Sequence, residues 1–417
     1  VFDMGHSSIA EHAVFNIDIL GPSRLAVEFI EQFRLASYTE KSQRYIRLDG
    51  DFVIPEEIRQ GGLADFFTDV IEAQNALYRD LHGAVLRRLL EEEDGEPDGA
   101  RLSLLEGSAK EDARYILSLA TESQLGMTVN ARTLELMVRR AAAHPLSEVR
   151  EYGRLLFDAV RHVTPSLIRY TKATPFDRDT PAALREVLET LPVPSSSPES
   201  DSVVLVDFTR DGDDMIAAAL LHRKSGRTLA DCREAARRLS LQDKGTLIQT
   251  ACARMESYDA PLREFEMAEM TFEVAMSAAC FAQMKRHRMA TMISRDYDPA
   301  LGATLPETIR QAGMEDAFRN MIDVTDEAYQ RLRPAAPEAA AYVLTNAHRR
   351  RVLIKVNLRE LYHMARLRED RHAQWDIRET TRRMVELGRE VMPLGLMLAC
   401  GKDAFGDLKR QRLGGGD

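Results

Sequence analysis

The sequence is poor in several features that narrow what the protein can do. Four cysteines stand in 417 residues, Cys232, Cys252, Cys280 and Cys400, widely scattered. They form no CxxC pair and no zinc spacing, so they read as reduced thiols of a cytoplasmic protein, buried as small apolar residues. Nothing around any of them marks a nucleophile. No uninterrupted apolar run approaches the roughly 18 residues of a membrane span. Positive charge is in deficit: the net charge is −10, which disfavours general attraction to nucleic acid or an anionic membrane. A local basic pocket for a small anion is compatible with that balance. The opening "VFDMGHSS" does not read as a signal peptide. It starts on Val and runs straight into dense motif, so the N-terminus is expected to be incomplete.

What is present is typical of a soluble globular chain, with 44% apolar and 29% charged residues and room for two or three domains. The stretch "LPVPSSSPESDS" (191–202) blocks regular structure with prolines and serines. It divides the chain into residues 1–190 and 203–417. "VVLVDF" just after it reads as a buried strand. "FTDVIEAQNALYRDLHGAVLRRLLEEE" and "DIRETTRRMVELGREVM" carry helical periodicity, and "EEEDGEPDG" (91–99) is an acidic loop. "TDEAYQRLRPAAPEAAAYVL" is helical with a break expected at Pro334 and Pro337. "HAVFNIDIL" and "EMTFEVAM" alternate with period two, as half-buried strands do.

The halves also resemble one another. Glu11, Phe15, Ile17 and Ile19 lie over Glu266, Met270, Phe272 and Val274. One extra residue in the first half then brings Gln32-Phe33-Arg34 onto Arg286-His287-Arg288. Asn130 and Arg132 match Asn357 and Arg359.

A run of hydroxyls and guanidiniums, "EQFRLASYTEKSQRYIRL" (31–48), completes the set. Together with "GHSSIAEH" (5–12), "KEDAR" (110–114), "RHR" (286–288) and "NLRELYHMARLREDRHAQWDIR" (357–378), it resembles the flavin-dependent thymidylate synthase (ThyX) family in tandem form. The resemblance implies an α+β fold, each half a small antiparallel sheet packed with long helices. It implies reductive C5 methylation of dUMP to dTMP, with FAD as cofactor and NADPH and methylenetetrahydrofolate as co-substrates. It further implies a homodimer that forms a pseudo-tetramer.

The departures from the family pattern are complementary. The first half has Gln32 and Phe33 in place of the Arg-His of the triplet, and Thr39 in place of Asn. The second has "DYDP" in place of the Ser-x-Arg-Tyr loop, and Asp376 in place of Glu. By the resemblance one composite site survives. Arg368 is its catalytic arginine, facing the pyrimidine. Glu40, Ser42, Arg44, Arg114, Gln283 and Arg286 bind substrate. His6, Ser8, Glu11, His287, Arg288, Asn357, Arg359, His363 and His372 bind the flavin. The reciprocal set, with Phe29, Gln32, Phe33 and Ala141 facing Asp296, Asp298 and Ala341, has almost no capacity for an anion. Guanidinium forks and hydroxyls suit a nucleotide phosphate. On a helix, Arg359 with His363 and Arg368 with His372 would each share a face. A nucleotide- or flavin-binding protein without catalysis, or a methylase of another uridine nucleotide, fits the same residues.

Overall fold

The computed structural model describes residues 7–42, 50–192 and 202–414. His6 and Arg44 lie outside them. The fold is α+β, as the sequence leads one to expect. The chain forms two compact units, residues 1–197 with 302–348, and residues 198–301 with 349–417. Residues 302–348, read from the sequence as part of the second half, group with the first unit.

In the first unit, β1 (Val14–Ser23), β2 (Ala36–Glu40) and β3 (Glu122–Asn130) form an antiparallel sheet in the order β1-β3-β2. The alternation read from "HAVFNIDIL" holds: Val14, Asn16 and Asp18 are exposed, while Phe15, Ile17 and Ile19 turn inward. The register of β1 shifts between Leu20 and Ser23, where Gly21 takes φ +71°. A bulge absorbs one extra residue in just this way, and it accounts for the extra residue found when the halves are aligned. The long helix Ala64–Glu91 packs on helix Glu315–Leu332. Gln74 Nε2 donates to Thr325 Oγ1 at 2.9 Å and to the Val343 carbonyl at 3.0 Å. Helix Glu315–Leu332 stops just before Pro334, as proline sterics require.

Two short segments of this unit exchange backbone hydrogen bonds reciprocally. The Leu119 N–H donates to the Leu344 carbonyl and the Asn346 N–H to the Leu117 carbonyl. The Ala120 N–H donates to the Tyr342 carbonyl and the Ala347 N–H to the Tyr115 carbonyl. Tyr115 and Tyr342 are both fully buried beside these bonds.

In the second unit, β4 (Val203–Phe208), β5 (Glu269–Ser277), β6 (Thr291–Ser294) and β7 (Arg349–Asn357) form an antiparallel sheet in the order β4-β5-β7-β6. Met270, Phe272 and Val274 of β5 are fully buried. They meet Ile354 and Val356 of β7 and Met384 and Val385 of helix Trp375–Val391 in one core. β4 corrects the expectation of a buried strand. It is an edge strand whose residues after Val203 are half-buried or exposed, because it has a neighbour on one side only.

The same local devices recur in the two sheets. Ser23 and Ser277 each end the first strand of their pair and cap the next helix, accepting from the Ala26 and Cys280 N–H groups. The Ser23 hydroxyl donates to Glu148 at 2.7 Å and the Ser277 hydroxyl to Asp376 at 2.5 Å. Asn130 and Asn357 end β3 and β7 and cap the helices that follow. The Glu11–Arg132 ion pair has its counterpart in Glu266–Arg359.

Candidate functional site

In the second unit the helix Ala278–Met284 ends in a turn that carries Arg286, His287 and Arg288. The helix Leu358–Arg368, started by the Asn357 cap, lies beside it. Glu360 and His363 lie three residues apart on one side of this helix, and Arg368 is its last residue.

His287 is the buried centre of the group, 3% exposed. Arg368 Nε donates to His287 Nε2 at 2.9 Å, and an Arg368 terminal N–H donates to the Gln283 carbonyl at 3.1 Å. Glu360 Oε1 lies 3.4 Å from His287 Nδ1. The His363 ring stands edge-on to that of His287, with centroids 5.7 Å apart. The Gln283 side chain points to Gln374 at 3.4 Å. Gln374 is fully buried and caps helix Trp375–Val391.

The charge state of His287 follows. Burial pushes its pKa below the usual imidazole range, and Arg368 and His363 add to that, while Glu360 opposes. Arg368 can donate to Nε2 only if that nitrogen carries a lone pair. The ring is therefore neutral with its proton on Nδ1. His287, Glu360 and His363 bring three ligating atoms within 4.8 Å of one another. With Nδ1 protonated, however, the histidine offers a donor and not a metal lone pair.

Around this centre Arg286, His363 and His372 are exposed and Arg288 is half-buried. One expectation needs correcting. Helix Leu358–Arg368 ends at Arg368, and His372 follows in a turn whose N–H donates to Asp370. Arg368 and His372 thus share no helical face. Arg359 and His363 are on one helix, but the Arg359 guanidinium is engaged by Glu266 at 3.1 Å and by the Pro261 carbonyl at 2.8 Å. Asn357 serves as a cap, its side chain accepting from the Glu360 N–H at 2.9 Å.

The loop after β6 is held in place. Arg350 stacks on Tyr297 at 4.3 Å and on Phe281 at 4.9 Å, and it donates to the Arg295 carbonyl at 2.7 Å. Three thiols are unsuited to attack: burial pushes Cys252 up to about 12 and Cys400 to about 11, and Cys280 well above its ordinary value.

In the first unit Glu40 is buried in an ion pair with Arg24 and accepts from Ser123 at 3.1 Å. Ser42 is half-buried beyond the end of β2. Arg114 is 8% exposed, and its Nε donates to the Glu111 carbonyl at 3.2 Å. Ser8 and Glu11 are exposed on a short turn, with Glu11 paired to Arg132. Where the second half has His287, Gln283 and Arg368, the first has Phe33, Phe29 and Ala141. Phe29 meets Phe33 edge-on at 5.5 Å and His144 at 5.0 Å. Ala141 is buried against Gly153, where an added Cβ would lie 2.5 Å from the Ala141 Cβ. Apolar packing thus occupies the positions that carry polar groups in the second unit.

Sequence reasoning missed Glu360, Gln374 and Arg350. The signal for Glu360 was its place three residues after Asn357 and three before His363.

The family model described as "Thymidylate synthase complementing protein" matches residues 1–166 and 204–394. A protein of Chlamydia muridarum described only as a UPF0159 protein is 24% identical, over 94% of this chain and 77% of its own length. A flavin-dependent thymidylate synthase of Clostridium tetani is 31% identical, over 40% of this chain and 66% of its own. Among solved structures, the UMP/dUMP methylase PolB from Streptomyces cacaoi, bound with 5-Br dUMP, covers 49% of this chain and 97% of its own at 22% identity and TM-score 0.39.

Proposed function

Because the chain belongs to the thymidylate synthase complementing protein family, we propose that it is a flavin-dependent enzyme that reductively methylates C5 of dUMP, giving dTMP. The observation that carries this reading is the Arg368–His287 hydrogen bond, which holds a guanidinium in a fixed direction at the surface of the second unit. Arg368 facing a pyrimidine carbonyl favours the N3-deprotonated ring and makes C5 more nucleophilic. Gln283 and Arg286 bind the base and phosphate. Ser42, Arg44 and Arg114 of the first half carry the donor types that a nucleotide phosphate takes.

The donor set suits FAD. Arg288, His363 and His372 present N–H donors, which match ring carbonyls and a diphosphate. When bound, FAD supplies the hydride that reduces the transferred carbon, which comes from methylenetetrahydrofolate, with NADPH as the source of reducing equivalents. Arg288 and His363 would flank it, and buried His287 orders the wall behind. The raised pKa values of Cys252, Cys280 and Cys400 fit a route with no nucleophile among these three. Replacement of polar groups by Phe29, Phe33 and Ala141 supports one working site per pair of halves in a tandem chain.

The test is reconstitution of the purified full chain with FAD, followed by titration with dUMP and with UMP while the flavin absorbance is recorded. Flavin uptake and a spectral change with dUMP are expected. A chain that takes up no flavin contradicts the reading.

A further inference from the structure

Glu360 occupies a place where a glutamate ordinarily does something else. It is the third residue of a helix whose cap is Asn357, and a glutamate there usually reaches back to the cap residue's N–H. The Asn357 side chain accepts the Glu360 N–H, but the Glu360 carboxylate turns to His287 instead, 3.4 Å from Nδ1. Both residues are more than nine-tenths buried. Among the described residues Nδ1 has no well-formed hydrogen bond, and Glu360 is the acceptor that faces it. On its far side the same ring accepts from Arg368 at 2.9 Å.

The chain contains its own comparison. Aligned on Asn130 and Asn357, the counterparts of Glu360 and Arg368 in the first half are Thr133 and Ala141; aligned on Ser23 and Ser277, the counterpart of His287 is Phe33. Carboxylate, imidazole and guanidinium are present together in one half and replaced together in the other. A structural glutamate would have no reason to follow the histidine in this way.

We propose that Glu360 is a positioning residue, which fixes the Nδ1–H tautomer of His287 and thereby the direction of the Arg368 guanidinium. This rests on the proposed role of Arg368 in binding the pyrimidine. An imidazole with its proton on Nε2 would set two N–H donors against each other at 2.9 Å, and Arg368 would turn away. Glu360 biases the ring against that tautomer, because a buried carboxylate beside an N–H favours the proton on that nitrogen. His363 is the other titratable group facing the ring. It is exposed and is a weaker determinant.

The experiment uses the full chain with 15N-labelled histidine, and the His287 resonances are assigned with His287→Gln. Wild type is expected to show a protonated Nδ1 and an unprotonated Nε2. Glu360→Ala should give a mixture of tautomers and weaken dUMP binding about tenfold. Glu360→Gln, whose amide carbonyl still accepts from Nδ1–H, should restore both, which separates positioning from a folding defect. A wild-type ring protonated on Nε2, or a tautomer unchanged in Glu360→Ala, overturns the proposal. So does a shifted tautomer with unchanged dUMP affinity. If wild type binds no dUMP, the proposed function fails, and the tautomer readout still decides the link from Glu360 to His287.

Discussion

Arg368 and His287 hold each other in one direction. The guanidinium Nε donates to the imidazole Nε2 at 2.9 Å, and a second arm of the same guanidinium donates to the Gln283 carbonyl at 3.1 Å. Two fixed donations leave the side chain little rotational freedom before a ligand arrives, which is the condition for preorganised charge stabilisation.

Arg368→Gln should therefore lower turnover by about 100-fold or more, in line with loss of a preorganised donor. Thermal stability should change little, because Arg368 is half-exposed. Steady-state rates and a melting curve on the same preparation check both statements.

The two halves should respond unequally in nucleotide binding. Arg286 is exposed in the second unit, and Arg286→Ala should weaken dUMP binding more than tenfold, the loss of a charge-assisted hydrogen bond being about 1.5–3 kcal/mol. Gln32→Ala, its counterpart in the first half, should change the affinity less than twofold. Calorimetric titration of both variants decides it, and equal losses would mean two working sites.

The first half should also resist restoration. Ala141→Arg forces a guanidinium into packing where Gly153 already leaves no room for a Cβ. Such overpacking costs about 1–3 kcal/mol, and a buried charge adds more. Gly153→Ala alone should cost about 1–3 kcal/mol. Urea unfolding of each variant measures these changes.

Two half-buried groups give opposite pH slopes. Burial raises the Glu369 carboxyl from 4.5 to about 7. Its folded form holds the proton longer than the unfolded form, so stability is lost as pH rises from about 4.5 to 7. Glu369→Gln should lack that falling component and be more stable at pH 8, by up to about 3 kcal/mol. Burial lowers His144 from 6.5 to about 4. Its contribution is present above about pH 6.5 and lost as pH falls toward 4, and His144→Phe should remove that loss. Urea midpoints between pH 4 and 8 test both signs.

Much of this was legible in the sequence. Alternation in "HAVFNIDIL" and "EMTFEVAM" marked β1 and β5 because each has one face in a core. The inserted residue showed in the alignment because a bulge must be accommodated in the chain itself. Arg368, His287 and Gln283 came from the motif and do meet. What was not legible depended on neighbours in space. β4 looked buried, and only the sheet order makes it an edge. The engagement of Arg359 by Glu266 comes from the turn before β5. His372 was placed on a helix that ends four residues earlier, since the cap at Glu369 leaves no Gly or Pro signature.

The most direct measurement is product formation. Purified chain, FAD, NADPH, methylenetetrahydrofolate and dUMP are incubated together, and the nucleotides are separated by chromatography. The account predicts dTMP, formed only when dUMP and the folate are both supplied and nearly abolished by Arg368→Gln. Flavin and dUMP bound with no methylated product would contradict it and leave a binding protein in place of an enzyme.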